Sequence, residues 1–238
     1  MTYDLIIGDR LYSSWSLRGW LTLAAFDLPH RVIRAGLYAG TLAQDLARYA
    51  PTRTVPVLIL PEGQPVQDTL AIAETLAERH PDAGIWPKDA AARAMARWLV
   101  AEMHSGFKAL RDECPMNLEH RWAGFTVSDP VRADLARIET LWAAARARFG
   151  ETDRDKTGSP WLFGAYTVAD VFYAPVAARI AGYGLPISEP GARYVRAHLA
   201  HPLFQDWRNT ALEEPVTPRP YRQPLPEAPW PADDIATR

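Results

Sequence analysis

Hydrophobic and polar positions follow two different patterns along this chain. Up to residue 80, short apolar runs typical of strands occur at 3–8, 30–34, 57–60 and 65–67. The intervening and following segments, 16–26, 41–49 and 70–79, carry apolar residues at helical spacing. This order of strand, helix, strand, helix, hairpin and helix predicts an α/β unit whose sheet contains both parallel and antiparallel pairs.

The pattern becomes helical throughout after residues 81–87, where two prolines and a glycine interrupt it. Helices are predicted over 89–113, 129–149, 168–181, 192–199 and 203–212, without a strand. The last stretch is rich in proline and polar residues, which favours a surface or partly disordered tail. The predicted organisation is an α/β domain at 1–80, a linker at 81–87, an all-α domain at 88–214 and a tail at 215–238.

Composition and charge exclude several classes of protein. The 238 residues carry a net charge of -2 without blocks of like charge, so they offer no basic surface for nucleic acid and no polybasic membrane patch. We find neither a leader pattern nor a run of the roughly 18 apolar residues that a membrane span needs. The lone Cys114 precludes an internal disulfide, and no residues have metal-ligand spacing. A soluble, cytoplasmic protein without a metal is expected, with Cys114 as a buried, inert thiol.

Three serines stand where the first predicted strand passes into the first predicted helix. Ser13, Ser14 and Ser16 flank Trp15 at this junction. One interpretation is a helix cap, in which a serine oxygen accepts from a backbone N–H two or three residues on. The other is an anion site, because the first turn of a helix presents unpaired N–H groups and partial positive charge. A bound thiolate is one anion that would fit.

Each of two further junctions can be interpreted either as an ordinary structural feature or as part of a ligand site. Pro56, directly before a strand, is an ordinary trans proline or a cis proline that turns the backbone of Val55 toward an extended peptide. Gln67, Asp68 and Thr69 precede the next helix, where Asp68 or Thr69 can act as a cap. Alternatively, the helix start and Thr69 hold a carboxylate while Gln67 and Asp68 face an ammonium group. Glutathione supplies the thiolate, the peptide backbone and the amino acid head group together.

The order of these motifs, Ser-Ser-x-Ser-x-Arg, then Val-Pro, then Gln-Asp-Thr, followed by helices, resembles the glutathione S-transferase superfamily. The first motif is similar to the Ser-Ser-Cys-Ser-x-Arg signature of the zeta class, the maleylacetoacetate isomerase-like enzymes. The resemblance implies a thioredoxin-like glutathione-binding domain, a helical domain for the second substrate, and a homodimer. It also implies that Ser13, or its neighbour Ser14, activates the glutathione thiol. The implied glutathione-binding residues are Arg53, Val55, cis Pro56, Gln67, Asp68 and Thr69.

Two residues depart from the family pattern. Trp15 replaces the zeta-class cysteine, which bears on isomerase chemistry, and Asp68 replaces the longer Glu or Gln, so that Gln67 or water is needed to complete the contact. The candidates for the electrophile pocket are Trp15, Met103, His104 and Phe107. For the last three, ordinary core or surface positions on a long helix are an equally good interpretation.

The function expected from this resemblance is that of a glutathione transferase. Two alternatives remain: a glutathione-dependent isomerase or dehalogenase, and a non-catalytic ligand-binding protein with the same fold. Two other motifs are assigned to folding. Thr167 and Asp170 form a capping box for a helix, and His198 and His201 are expected to be helix-end residues.

Overall fold

The computed structural model of the chain describes residues 2–150, 158–214 and 219–230, which form two compact units. The first unit comprises Met1–Ile85 and Pro202–Arg222, and the second comprises Trp86–His201 and Gln223–Arg238. The sequence placed 88–214 in one helical domain, whereas the contacts group Pro202–Arg222 with the first unit. Within the predicted tail, 215–218 and 231–238 lie outside the described residues.

A four-stranded mixed sheet forms the centre of the first unit. Its strands are β1 (Tyr3–Ile7), β2 (His30–Arg34), β3 (Val57–Ile59) and β4 (Pro65–Gln67), in the spatial order β2-β1-β3-β4. β1 is parallel to β2 and antiparallel to β3, which is antiparallel to β4. The predicted mixed pairing is therefore confirmed.

Three helices accompany the sheet at the positions where the sequence predicts them. They are α1 (Ser14–Ala24), α2 (Leu42–Leu46), continued by a 3-10 turn at Ala47–Tyr49, and α3 (Thr69–Arg79). α1 is buried over most of its surface: Leu17 and Leu23 have no exposed area and Leu21 has 1%. This burial stabilises a helix that has no acidic residue in its first turn and no basic residue in its last.

The second unit is mainly helical. It contains α4 (Ala90–Ser105), α5 (Lys108–Glu113), α6 (Asp129–Phe149), α7 (Val168–Tyr183) and α8 (Glu189–Ala200). All 16 residues of α7 are buried, which makes it the central helix of the unit. Its N-terminus has the predicted capping box, in which the Asp170 carboxylate accepts from the Thr167 backbone N–H at 2.9 Å.

The single helix predicted over 89–113 is wrong, because the chain breaks it between α4 and α5. A side chain on Gly106 would place its Cβ 2.6 Å from the Glu102 carbonyl oxygen. The next residue, Phe107, has a left-handed backbone with φ of 52°. Apolar residues continue at helical spacing through the break, so the hydrophobic pattern did not reveal it.

The second unit also contains two short strands that the sequence did not predict. β5 (Arg121–Trp122) pairs antiparallel with β6 (Glu227–Ala228), so part of the predicted tail is an ordered edge of this unit. Two residues are too few to show a period of two, and the pairing depends on residues far apart in sequence.

A last helix, α9 (Pro202–Glu213), returns to the first unit and packs on α1. Trp207, which is 1% exposed, lies with its ring centroid 5.2 Å from that of Trp20. No helix in the described ranges is both long and apolar enough to cross a membrane.

Candidate functional site

The junction of β1 and α1 is fixed by two linked serine hydroxyls. Ser13 caps α1: its Oγ accepts from the Ser16 backbone N–H at 3.2 Å. The Ser13 hydroxyl donates to Ser16 Oγ at 2.7 Å, and Ser16 Oγ also accepts from the Gly8 backbone N–H at 3.0 Å. The cap interpretation is therefore confirmed for Ser13. Ser14 is the first residue of the helix and is 7% exposed.

A buried guanidinium lies beside this helix start. Arg18 is 1% exposed, and its Nη1 donates to the Ser14 carbonyl at 3.4 Å. Its guanidinium carbon lies 4.5 Å from the centroid of the Trp15 ring. The positive charge of Arg18 adds to the positive end of the helix dipole, so the local field favours an anion.

The Val55–Pro56 peptide bond is cis, in agreement with the family resemblance. Val55 is buried in a cluster with Ile6 and Val57 of the sheet. Pro56 lies against α1, where a Cβ on Gly19 would come within 2.8 Å of Pro56 Cγ. The cis-proline loop is thus in direct contact with the helix that Ser13 caps. A second cis bond, Ala50–Pro51, was not predicted from the sequence.

Gln67 holds the cis-proline loop against the end of β4. Its Oε1 accepts from the backbone N–H groups of Arg53 at 2.5 Å and Thr54 at 3.2 Å. The sequence suggested that Gln67 faces a ligand ammonium group, but in the structure its carbonyl oxygen binds the loop. The Arg53 side chain is exposed. A hydrogen bond between residues 14 positions apart has no signature in the pattern of either segment.

The start of α3 contains a strained residue and a buried hydroxyl. Asp68 has φ of 85° and ψ of 129°, and its carboxylate accepts from the Leu70 N–H at 2.8 Å. A positive φ at such a residue costs about 1–3 kcal/mol and is most often found at functional sites. Thr69 is 2% exposed, and within the described residues its Oγ1 has no hydrogen-bond partner. A buried hydroxyl at a helix N-terminus is suited to bind a carboxylate.

The structure brings these three junctions together within the first unit. Gly19 and Pro56 connect the serine junction to the cis-proline loop, and Gln67 connects that loop to the start of α3. Of the candidates in the second unit, Met103 is completely buried, Phe107 is 6% exposed and His104 is partly exposed.

Cys114 is a buried thiol in the second unit, as expected. Burial raises its pKa to about 12, so the thiolate is scarce at neutral pH. The described ranges contain no group of three or more His, Cys, Asp or Glu side chains placed to hold a metal ion.

Comparisons with known proteins first identify the class of the N-terminal unit. Residues 12–79 match the family model of the glutathione S-transferase N-terminal domain. A probable maleylacetoacetate isomerase from Caenorhabditis elegans is 32% identical over 103 residues, which are 43% of this chain and 47% of that protein. The match therefore spans about half the length of this curated relative.

Solved structures show that the likeness in fold extends over most of the chain. A glutathione transferase homologue from Burkholderia gl BGR1, with bound glutathione, superposes with a TM-score of 0.65 at 23% identity, covering 90% of this chain and 100% of its own. Glutathione transferase Omega 2S from Trametes versicolor, in complex with 2,4-dihydroxybenzophenone, has a TM-score of 0.64 at 19% identity, covering 89% and 96%. The fold is that of the glutathione transferases: a thioredoxin-like unit and a helical unit.

Residues 12–79 therefore belong to the glutathione S-transferase N-terminal domain family, and the sequence similarity of the chain is zeta-like.

Proposed function

We propose that this protein is a glutathione transferase that activates the glutathione thiol with a serine hydroxyl. The observation that carries the proposal is the start of α3, where the buried Thr69 hydroxyl has no hydrogen-bond partner among the described residues. It lies beside the strained Asp68 at the positive end of a helix. A γ-glutamyl carboxylate would accept from Thr69, and Asp68 would bind the neighbouring ammonium group.

The remainder of glutathione would extend from this point toward the serines. Val55, before the cis proline, would pair with the cysteinyl backbone as a strand does. The exposed Arg53 would meet the glycyl carboxylate. Gln67 would act through the loop by fixing the backbone of Arg53 and Thr54.

The serine junction has enough polar groups to hold a thiolate. Lowering the pKa of a thiol from roughly 8.5 to roughly 6.5 requires about 2.7 kcal/mol. A hydrogen bond to a charged group supplies about 1.5–3 kcal/mol and a helix N-terminus about 0.3–1 kcal/mol. Ser13 would donate by turning its hydroxyl away from Ser16 Oγ, which would keep its bond from Gly8. Ser14, adjacent at the helix start, is the alternative donor.

The thiolate sulfur would then attack an electrophilic carbon, forming a C–S bond as the leaving group departs with its electron pair. Trp15, Met103, His104 and Phe107 remain the candidates for contact with that electrophile. Met103 has no exposed surface, so it would require rearrangement to touch a ligand.

Glutathione binding and 1-chloro-2,4-dinitrobenzene conjugation test the proposal. Thr69→Val should weaken glutathione binding at least tenfold, about the effect of one hydrogen bond to a charged group. Thr140→Val, which removes an exposed hydroxyl on α6, should not weaken it. Ser13→Ala or Ser14→Ala should raise the pKa of the bound thiol. Unchanged conjugation in both serine variants would contradict the mechanism.

A glutathione-dependent isomerase is the second candidate function, because the relative from C. elegans is named a probable maleylacetoacetate isomerase. The zeta-class cysteine is replaced here by Trp15. Turnover of maleylacetone would support this alternative, and turnover of a chlorinated acid would support a dehalogenase. Tight glutathione binding without turnover of any of these substrates would indicate a ligand-binding protein.

A further inference from the structure

The loop that leads into the proposed thiol site is held by residues from the far end of the chain. We call residues 202–214 and 219–222, which belong to the first unit, the returning segment. Trp207 Nε1 donates to the Arg10 carbonyl at 2.9 Å, and the Arg10 guanidinium lies 5.2 Å from the centroid of the Trp207 ring. Arg10 lies three residues before Ser13, on the loop that directs the chain into α1.

A chain of ionic contacts extends from the returning segment toward Ser13. The two carboxylate oxygens of Glu214 bind Arg10 and Arg34, one each. Arg34 in turn binds Asp9 Oδ1 at 3.0 Å. The Asp9 carbonyl accepts from the Ser13 backbone N–H at 2.8 Å. Glu214 thus connects to the backbone of Ser13 through Arg34 and Asp9.

A second contact with the same loop is aromatic. The Tyr221 hydroxyl is 2.7 Å from the Tyr38 hydroxyl, and the ring centroids of these two residues are 5.8 Å apart. Tyr12, directly before Ser13, packs edge-on against both rings, at 6.3 Å from Tyr38 and 6.0 Å from Tyr221. Tyr12 is 3% exposed, so the returning segment helps to bury the residue next to the serine pair.

We propose that the returning segment sets the position of the serine junction, with Glu214 and Tyr221 as positioning residues for thiol activation. This inference rests on the proposed function for its chemical consequence. Helix packing by Trp207 alone would require neither the carboxylate at 214 nor the hydroxyl at 221. The ionic and aromatic contacts come from different parts of the segment and reach the same loop. The ionic contacts involve Asp9 and Arg10, and the aromatic contact involves Tyr12.

The first test measures the loop without glutathione, by hydrogen exchange at the Ser13 amide. Glu214→Gln removes the charge that bridges two arginines, whereas Glu213→Gln removes a neighbouring exposed carboxylate. We expect exchange at Ser13 to accelerate about tenfold in Glu214→Gln, the factor that one lost charge-assisted hydrogen bond brings. Glu213→Gln should exchange like the wild type. Equal exchange in both variants, or acceleration spread evenly over β1 to β4, would overturn the proposal.

The second test measures the chemistry in Tyr221→Phe, which keeps the ring and removes the hydroxyl. The pH midpoint of kcat/KM for the electrophile at saturating glutathione, which reports the enzyme-bound thiol, should rise by about one unit, equivalent to a tenfold loss near neutral pH. The KM for glutathione should change less than kcat, and Arg222→Gln, which alters an exposed neighbour, should keep the wild-type midpoint. An unmoved midpoint would refute the role of Tyr221. A wild type without glutathione-dependent activity would refute the proposed function, and the exchange experiment would still decide whether the loop depends on Glu214.

Discussion

At the scale of single residues, the side chain that caps α1 is also the one that we propose as the donor to the glutathione thiol. The sequence indicated a cap by one of the three serines, because Ser before an amphipathic run has a known local role, and the structure assigns that cap to Ser13. The sequence did not assign a role to Ser16, whose hydroxyl accepts from both Ser13 and Gly8. Gly8 is the residue after β1, so Ser16 connects the end of the strand to the start of the helix.

We predict that Ser16→Ala lowers the free energy of unfolding by about 1–3 kcal/mol, since it leaves the buried Gly8 N–H without its acceptor. Ser105→Ala, at an exposed serine whose hydroxyl bonds the Ala101 carbonyl of its own helix, should change stability by less than about 0.5 kcal/mol. Urea denaturation of both variants measures the difference. Equal stability of the two variants would show that Gly8 finds another partner.

His198 gives the second residue-scale prediction. It is fully buried against the rings of Trp161, Tyr166 and Tyr194, and burial, followed by the charges of His201 and Arg146, lowers its pKa to about 3. Between about pH 6.5 and 3, His198 is therefore protonated in the unfolded chain and neutral in the folded chain. The stability from His198 is present above pH 6.5 and is lost as the pH falls, by up to about 1.4 kcal/mol per unit.

Asp170, which accepts a hydrogen bond from the same Tyr194 that packs on His198, has the opposite dependence. Burial raises its pKa to about 6, so the stability it contributes is present below about pH 4 and is lost as the pH rises through 6. Asp170 is present in both proteins, so His198→Phe removes only the dependence that comes from His198. The unfolding free energy of this variant relative to wild type should be constant above about pH 6.5 and should rise as the pH falls toward 3. Urea denaturation across this range measures the difference. Curves that stay parallel would contradict the prediction.

At the scale of elements, the close packing of α1 on the cis-proline loop is the contact that the candidate site depends on. Gly19 allows this approach, because the Cβ of any other residue would come within 2.8 Å of Pro56. The separation is shorter than van der Waals contact, so the loop would have to move away from the helix. At position 19, helix propensity therefore favours alanine, whereas packing favours glycine.

We predict that packing prevails in Gly19→Ala. The gain of about 1 kcal/mol in helix propensity is offset by an overpacking cost of about 1–3 kcal/mol, for a net loss of up to about 2 kcal/mol. Gly182→Ala in α7 is the matched control, since its Cβ would meet no atom closer than 3.8 Å. That variant should be as stable as wild type or more stable. Thermal denaturation separates the two cases, and a stabilised Gly19→Ala would contradict the close approach.

The sequence predicted elements well where the local pattern is sufficient. The four strands of the first unit are short apolar runs, and helices such as α6 carry apolar residues at helical spacing. The break at Gly106 and Phe107 and the strands β5 and β6 were missed, because each depends on backbone conformation or on distant partners. In the candidate site, the sequence identified Thr69 and Asp68 by position. It could not foresee that Gln67 binds the Arg53 backbone, since that contact exists only after folding.

At the scale of the whole molecule, the first unit is built from two separate stretches of the chain. Helical spacing predicted α9 correctly, but it cannot tell which unit a helix joins. Amphipathic patterning shows that a face is buried and gives no information on the surface that buries it. The partner of α9 is α1, whose Trp20 lies beside Trp207.

We predict that Trp207→Ala destabilises the protein by about 3–5 kcal/mol, the usual cost of truncating a buried tryptophan. Leu212→Ala on the same helix removes a side chain that is 46% exposed, and should cost less than about 0.5 kcal/mol. Guanidinium denaturation, followed by circular dichroism, tests both. Similar stability of the two variants would mean that α9 contributes little to the first unit.

Because the first unit is built from two separate stretches of the chain, its folding in a cell can be completed only after the second stretch has been synthesised. A ribosome that has finished residue 85 must add 117 more residues before Pro202 exists, since 202 minus 85 is 117. At roughly 5–20 residues per second this takes about 6–23 s, during which Trp20 lacks its cover from α9. Synthesis therefore leaves an apolar face of the nascent chain exposed for seconds.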